Sequence, residues 1–232
     1  MACPCPVAHG MSVAPTASKP LTGAHGHALR RTDRPNVTPT MTSTSSCDDL
    51  AQPARLLALV PTEAHTDADT DALQSAWVQS LQQAGWQVGG VLQRTSTWPR
   101  GGKRMQLLDV RSAQVFDISQ DLGSQSKGCC LDPAGVAQAS SVLRQALVDR
   151  VDVVITNRFG GLEAQGGGFV AEIAALVEAG IPVLSIVAPQ YLPAWRALTG
   201  PMGQELPMPQ PLQALHDWFE GARALPASGE PA

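Results

Sequence analysis

The sequence predicts a three-layer α/β/α domain on a mainly parallel sheet, with a β-hairpin at one edge. Three observations carry this. The runs RLLALV (55–60), VDVVIT (151–156) and IPVLSIV (181–187) are almost wholly apolar over strand length, with no polar alternation. A strand of that kind is buried on both faces, the mark of a parallel sheet covered by helices above and below. Segments of helical period separate the runs. Finally, two short alternating runs, QLLDV and QVFDIS, flank Arg111 and Ser112 and read as a hairpin.

Taken in order, the first 53 residues are dominated by Pro, Ser, Thr, Ala and His and show no apolar period. Such a segment buries too little to offset its ordering entropy and is expected to be a disordered extension. Cys3 and Cys5, followed by His9, His25 and His27, match no structural zinc spacing. The single domain is expected over 54–222, with a flexible tail over 223–232. Its first strand runs into a helix continuing to Ala84, with Leu73, Trp77, Val78 and Leu81 on one face and acids in its first turn. WQVGGVLQR (86–94) is expected to join the sheet. Asp132 and Pro133 read as an N-cap with proline at the first helical position, opening a helix to Arg150. FVAEIAALVEAG (169–180) reads as a helix ended by glycine, and YLPAWRALTG and PLQALHDWFEGAR as the last two helices.

Bulk properties narrow the function classes. A net charge of −4 with no basic stripe argues against a nucleic-acid partner. Five cysteines, three of them in the first 53 residues, make no disulfide framework. The longest apolar stretch, AEIAALVEAGIPVLSIVA, holds two glutamates, a glycine and a proline, so no membrane span is expected. No continuous apolar segment of the kind found in secretory signals opens the chain or follows Arg30 and Arg31. A cytoplasmic setting is the expectation.

Ligands of open parallel sheets settle at the carboxyl ends of the strands, and three loops there are candidates. The first, PTEAHTDADTD, occupies the place where a phosphate-binding loop would show glycines and a lysine; it has neither. Asp67, Asp69 and Asp71 read as cap and charge match for a helix start, or alternatively as a divalent-metal cluster with Glu63 and His65. The second, TNRFGGLEAQGGGF, is the most informative. Gly160, Gly161, Gly166, Gly167 and Gly168 permit close ligand approach, Asn157 both donates and accepts, Arg158 suits an oxyanion, and Glu163 is a candidate catalytic base or metal ligand. Its alternative is a solvated surface loop. The third, QDLGSQSKGCCLDP, offers Lys127 as a further ligand-binding cation and Cys129 and Cys130 as a candidate metal or redox pair, against the reading of small packed thiols. No GxSxG, HExxH or GxGxxG string occurs, which removes several hydrolase and dinucleotide-enzyme classes.

Gln120 to Gly123 (QDLG), Cys129 with Leu131 and Asp132, Asn157 with Phe159, Gly160 and Glu163, GIPVL at 180–184, and Leu192 with Ala194 to Arg196 occur in an order that resembles a proteobacterial domain family of unknown function. Its members are often encoded beside molybdate-transport genes. That family in turn resembles P-loop nucleoside triphosphatases of the nucleotide-kinase-like type. There a strand ending D-E-x-G-x-x-E supplies acids for magnesium and for water. VVITNRFGGLE aligns with that motif, but Thr156 and Asn157 stand where acids would be, and Glu163 alone keeps its counterpart. The resemblance implies a P-loop-NTPase-like fold with a degenerate phosphate loop. The expected function is a nucleotide- or oxyanion-binding accessory protein, linked to molybdenum and not hydrolytic. Its ligand would be molybdate or a nucleotide, and a protein partner in molybdenum handling is compatible with it. The alternatives are an active nucleoside triphosphatase or nucleotide kinase using Mg2+ at a non-standard site, and a partner-binding domain without chemistry.

Overall fold

In the computed structural model, described for residues 54–99, 101–120, 131–208 and 210–225, seven strands and five α-helices follow one another along the chain. They are β1 (Leu56–Val60), α1 (Asp67–Gln83), β2 (Val88–Thr97), β3 (Lys103–Asp109), β4 (Val115–Asp117) and α2 (Pro133–Val148), then β5 (Val153–Phe159), α3 (Val170–Glu178), β6 (Val183–Val187), α4 (Leu192–Thr199), β7 (Gly203–Pro207) and α5 (Leu212–Arg223). The strands form one sheet in the order β4-β3-β2-β5-β6-β1-β7. β2, β5, β6, β1 and β7 run parallel, while β3 and β4 add an antiparallel edge. Expectations for residues 1–53 and for Lys127, Cys129 and Cys130 lie outside the described residues.

The doubly apolar strands are central because both of their faces are covered. Leu57, Leu59, Val153, Ile155, Leu184 and Ile186 meet Trp77, Val78 and Leu81 of α1 and Leu215, Trp218 and Phe219 of α5. On the other face Leu56, Ala58, Val154 and Val183 meet Val136, Ala139 and Leu143 of α2, Ile173 and Leu176 of α3, and Trp195 of α4. The sequence alternates between the two cores residue by residue, as a pleated strand requires. Each large side chain withdrawn in this way contributes about 1.5–3 kcal/mol.

Local signals act where expected at the helix starts. Thr66 caps α1 and completes a capping box with Asp69; Asp132 caps α2 by accepting from the Ala134 amide. In β2, Gly90 has φ +101°, and a Cβ there would lie 2.0 Å from the Ile155 carbonyl oxygen, so β5 can approach only a glycine. Two features differ from the sequence reading. β2 runs on through Thr97 and pairs with β3 along its outer half, so the antiparallel edge comprises β2–β3 as well as β3–β4. β7, Gly203–Pro207, is an additional edge strand inside a stretch read as two helices and a connection. Its side chains are only half-buried, so no apolar run marks it. No helix among the described residues is long and apolar enough to cross a membrane.

Candidate functional site

The carboxyl end of β5 carries a β-bulge. Ile155 pairs with Leu184 and Arg158 with Ile186, so Thr156 and Asn157 together stand where β6 has Ser185 alone. Asn157 takes up the extra residue with φ +65°, a left-handed conformation that asparagine tolerates better than most side chains. Bulges of this kind re-aim the side chains that follow. Phe159 lands in the core beside α4, edge-on to Trp195 with ring centroids 5.4 Å apart. Arg158 turns instead to α1.

There Arg158 clamps the first turn of the helix. Its Nη1 lies 3.2 Å from Asp67 Oδ1, and its Nη2 donates to Asp71 Oδ1 at 2.7 Å, Thr70 Oγ1 at 3.1 Å and the Asp67 carbonyl at 3.3 Å. Lys103 Nζ, from the start of β3, donates to Asp67 Oδ2 at 3.1 Å. The turn thus contains no cation of its own but receives two from distant strands, an electrostatic setting that the local sequence alone misrepresents. Asp69 is engaged by its own cap, accepting from the Thr66 amide at 2.8 Å and the Thr66 hydroxyl at 2.7 Å.

The three carboxyls respond differently. Burial works against the charge of Asp67, but Arg158 and Lys103 outweigh it and hold its pKa below the usual range. Hydrogen bonds from Thr66 hold Asp69 low. Burial pushes Asp71 up, more than Arg158 pulls it down, with Asp67 adding repulsion. The alternative of a divalent-metal cluster is corrected here: the described residues contain no group of three or more His, Cys, Asp or Glu that could hold a metal ion. Asp67 and Asp71 serve Arg158 instead, Asp69 serves Thr66, and His65 Nδ1 lies 2.7 Å from Thr62 Oγ1.

The glycine loop after β5 is held from within. Glu163 is buried, and its two oxygens accept from the Gly160 amide at 2.9 Å and the Phe169 amide at 3.2 Å. A carboxylate taking two backbone amides closes the loop like a staple. Gly168, at φ +57°, passes so close that a Cβ would sit 1.9 Å from Glu163 Oε1. Gly166 has φ +81° in open space, whereas Gly160 and Gly161 are uncrowded, their Cβ positions clearing all neighbours by 3.5 Å or more. Gly167 would press on the Leu162 carbonyl at 3.3 Å. Loop geometry therefore accounts for Gly166 and Gly168, while Gly160 and Gly161 leave an open surface.

Asn157 and Arg158 thus stand among the last residues of β5, with the five glycines and Glu163 in the loop just beyond it. Asn157 Nδ2 donates to Gln93 Oε1 of β2 at 3.3 Å, while its Oδ1 is buried without a partner. Behind it, the Thr156 and Ser185 hydroxyls share a hydrogen bond between β5 and β6. Lys103 and Gln93, from β3 and β2, escaped sequence reasoning; an outer strand of polar residues, RTST before WPRGGK, was the available signal.

Residues 57–218 match the protein family described as a protein of unknown function, DUF2478. The chain belongs to this family. A curated relative of the DUF2478 chain, the Molybdenum import ATP-binding protein ModC 2 of Bradyrhizobium diazoefficiens, is 37% identical over 139 residues, 60% of this chain and 16% of that protein. The chain therefore spans a small fraction of that relative's length. Among solved structures, a human cancer-related nucleoside triphosphatase superposes with a TM-score of 0.50 at 14% identity, covering 70% of this chain and 94% of that one. The DUF2478 domain accordingly has the P-loop-NTPase-like α/β fold that the sequence resemblance implies.

Proposed function

We propose that this DUF2478 chain is a nucleotide- or oxyanion-binding accessory protein with a degenerate phosphate loop, acting in molybdenum handling without hydrolysing its ligand. One observation carries the reading: the first turn of α1, where a phosphate would sit in this fold, is filled by the protein's own carboxylates. Asp69 closes the capping box, and Asp67 and Asp71 engage Arg158. A helix N-terminus attracts anions through its free amides and partial charge. Here side chains already answer that attraction, and further negative charge would meet repulsion. Phosphoryl transfer depends on electrostatic stabilisation of a highly charged transition state. This turn offers little of it.

Magnesium chemistry does not fit the residues present. Thr156 and Asn157 replace the acids at the strand end, and both Glu163 oxygens are committed to backbone amides. Binding needs less: Asn157, Arg158 and the open backbone at Gly160 and Gly161 suffice to contact a small anionic ligand. The molybdenum connection is supported by the relative named as a molybdenum import ATP-binding protein, in which the matching segment shares one polypeptide with a much longer remainder. That arrangement also supports a protein partner in molybdenum handling, and a cytoplasmic site of action is consistent with it. Calorimetric titration with ATP, GTP, molybdate, tungstate and sulfate tests the reading. Binding of at least one, without magnesium-dependent phosphate release from ATP or GTP, is expected. Silence from all five overturns the binding function; turnover lost in Glu163→Ala overturns the non-hydrolytic part.

A further inference from the structure

β2 outlasts its parallel neighbour. It pairs with β5 from Val88 to Val91 but with β3 all the way from Val91 to Thr97. β4 and the residues after it support β3 from Met105 to Leu108, so the segment Ser96 and Thr97, with Lys103 and Arg104 opposite, is the two-stranded tip of an arm extending past the rest of the sheet. A lone ribbon of two strands is marginal in water, so its attachments matter. At the base, Gln93 accepts from Asn157 at 3.3 Å. Near the tip Lys103, cross-strand partner of Thr97, donates to Asp67 at 3.1 Å. Gln93 and Thr97 are four residues apart, or about 13 Å along an extended strand. The arm therefore links the end of β5 to the start of α1.

Both attachments have spare capacity. Asn157 is 5% exposed, yet one polar atom of its amide is buried without a partner. A buried polar group is normally satisfied, so this atom marks a position where a further group belongs. Lys103 has three donors and, among the described residues, Asp67 as its side-chain partner. Their side chains are 43% and 54% exposed, which makes the pair easy to exchange in water. Arg158 differs. It and Asp71 are 21% and 19% exposed, and Thr70 holds the same guanidinium, so Arg158 can meet a ligand only while keeping its α1 contacts, whereas Lys103 is free to exchange its partner.

We propose that Lys103 is the cation that contacts the anionic end of a nucleoside phosphate, that the Asn157 amide meets its nucleoside end, and that Asp67 holds Lys103 when no ligand is there. This rests on the binding function proposed above and selects among its ligands: a bare tetrahedral oxyanion is too short to reach both attachments, and a nucleoside phosphate is long enough. On binding, Lys103 exchanges the Asp67 carboxylate for a phosphate oxygen, and Asp67 keeps its ion pair with Arg158.

Calorimetry with ATP, pyrophosphate and molybdate, alongside thermal melting, tests it on the full chain. The expected result is ATP binding that weakens about tenfold or more in Lys103→Met, the loss of one charge-assisted hydrogen bond, with the melting temperature unchanged. Lys103→Arg retains binding, Asp67→Asn tightens it, and Asn157→Ala weakens ATP but not pyrophosphate. ATP bound equally by the parent and Lys103→Met overturns the role of Lys103 and leaves the binding function standing. So does molybdate binding without ATP binding, which removes the nucleoside phosphate as ligand. No response to any of the three in either the parent or Asp67→Asn overturns both. ATP binding that first emerges in Asp67→Asn supports the holding role of Asp67.

Discussion

Replacing Gly168 by alanine should destabilise the domain far more than the same change elsewhere in the loop. Two costs add. Alanine at φ +57° bears the strain of the left-handed region, about 1–2 kcal/mol. Its Cβ would also stand 1.9 Å from Glu163 Oε1, so the carboxylate must leave the amides of Gly160 and Phe169. Losing hydrogen bonds to a charged group costs about 1.5–3 kcal/mol, partly recovered where the loop admits water. The sum is about 3–4 kcal/mol. Gly166→Ala has the backbone strain without the collision, about 1–2 kcal/mol, and Gly160→Ala, whose Cβ finds Glu163 at 3.7 Å, should fall within about 0.5 kcal/mol of the parent. Urea unfolding followed by tryptophan fluorescence resolves the series, because at a slope of about 2 kcal/mol per molar the first variant shifts the midpoint by about 1.5–2 M. Gly168→Ala no worse than Gly166→Ala would refute the view that Glu163 staples the loop.

Glu163→Gln should cost about 1–3 kcal/mol in the same assay, since the new amide presents a donor to a backbone donor. Thr66→Ala removes the α1 capping box and should cost about 1 kcal/mol. Arg158→Met leaves Asp71 half-buried without its cation and should cost about 1–3 kcal/mol, less than a fully buried pair would; the double variant with Asp71→Asn should recover much of it, which a double-mutant cycle measures. The pH dependence separates the acids. Asp67, Asp69, Asp117 and Asp149 are held low, by ion pairing against the pull of burial for Asp67 and by hydrogen bonds from Thr66, Arg104 and Arg111, respectively, for the others, so their stabilisation is complete above the ordinary value of 3.8 and fades as pH falls through their folded values. Asp71 has the opposite sign. Its raised pKa is a penalty at neutral pH that is relieved as it gains a proton. Asp71→Asn should therefore lose the part of the stability gain that the parent shows on mild acidification, read from urea midpoints between pH 7 and pH 4.

How much of this was visible in the sequence depends on whether a physical cause leaves a local trace. Burial of β1, β5 and β6 on both faces removes polar residues from the strand itself, so those strands were legible as apolar runs. β7 is half-buried and ends in proline, so the same reasoning passed over it. Capping is local too, and Asp132 with Pro133 announced α2 plainly. The bulge is not local in its effect: nothing in VVITNRF marks Asn157 as supernumerary, since the extra residue is defined against β6. The opening turn was legible as acidic and short of glycine, but its counter-charges lie 36 residues away at Lys103 and 91 away at Arg158. Glu163 was singled out in the sequence as a candidate catalytic base or metal ligand; its contacts with the Gly160 and Phe169 amides are set by how the loop folds back on itself, which leaves no local trace.

The supernumerary residue at 157 makes Arg158 and Phe159 opposite ends of one lever, with the sheet as fulcrum. Phe159 rests on Trp195 in the layer containing α4, and Arg158 grips α1 on the far side. A change in how the indole seats the phenyl ring is therefore expected to shift the guanidinium relative to Asp67, and with it the carboxylate on which Lys103 sits. Repacking deep in one layer should thus be felt as a shifted ion pair on the other, with no residue of that pair replaced.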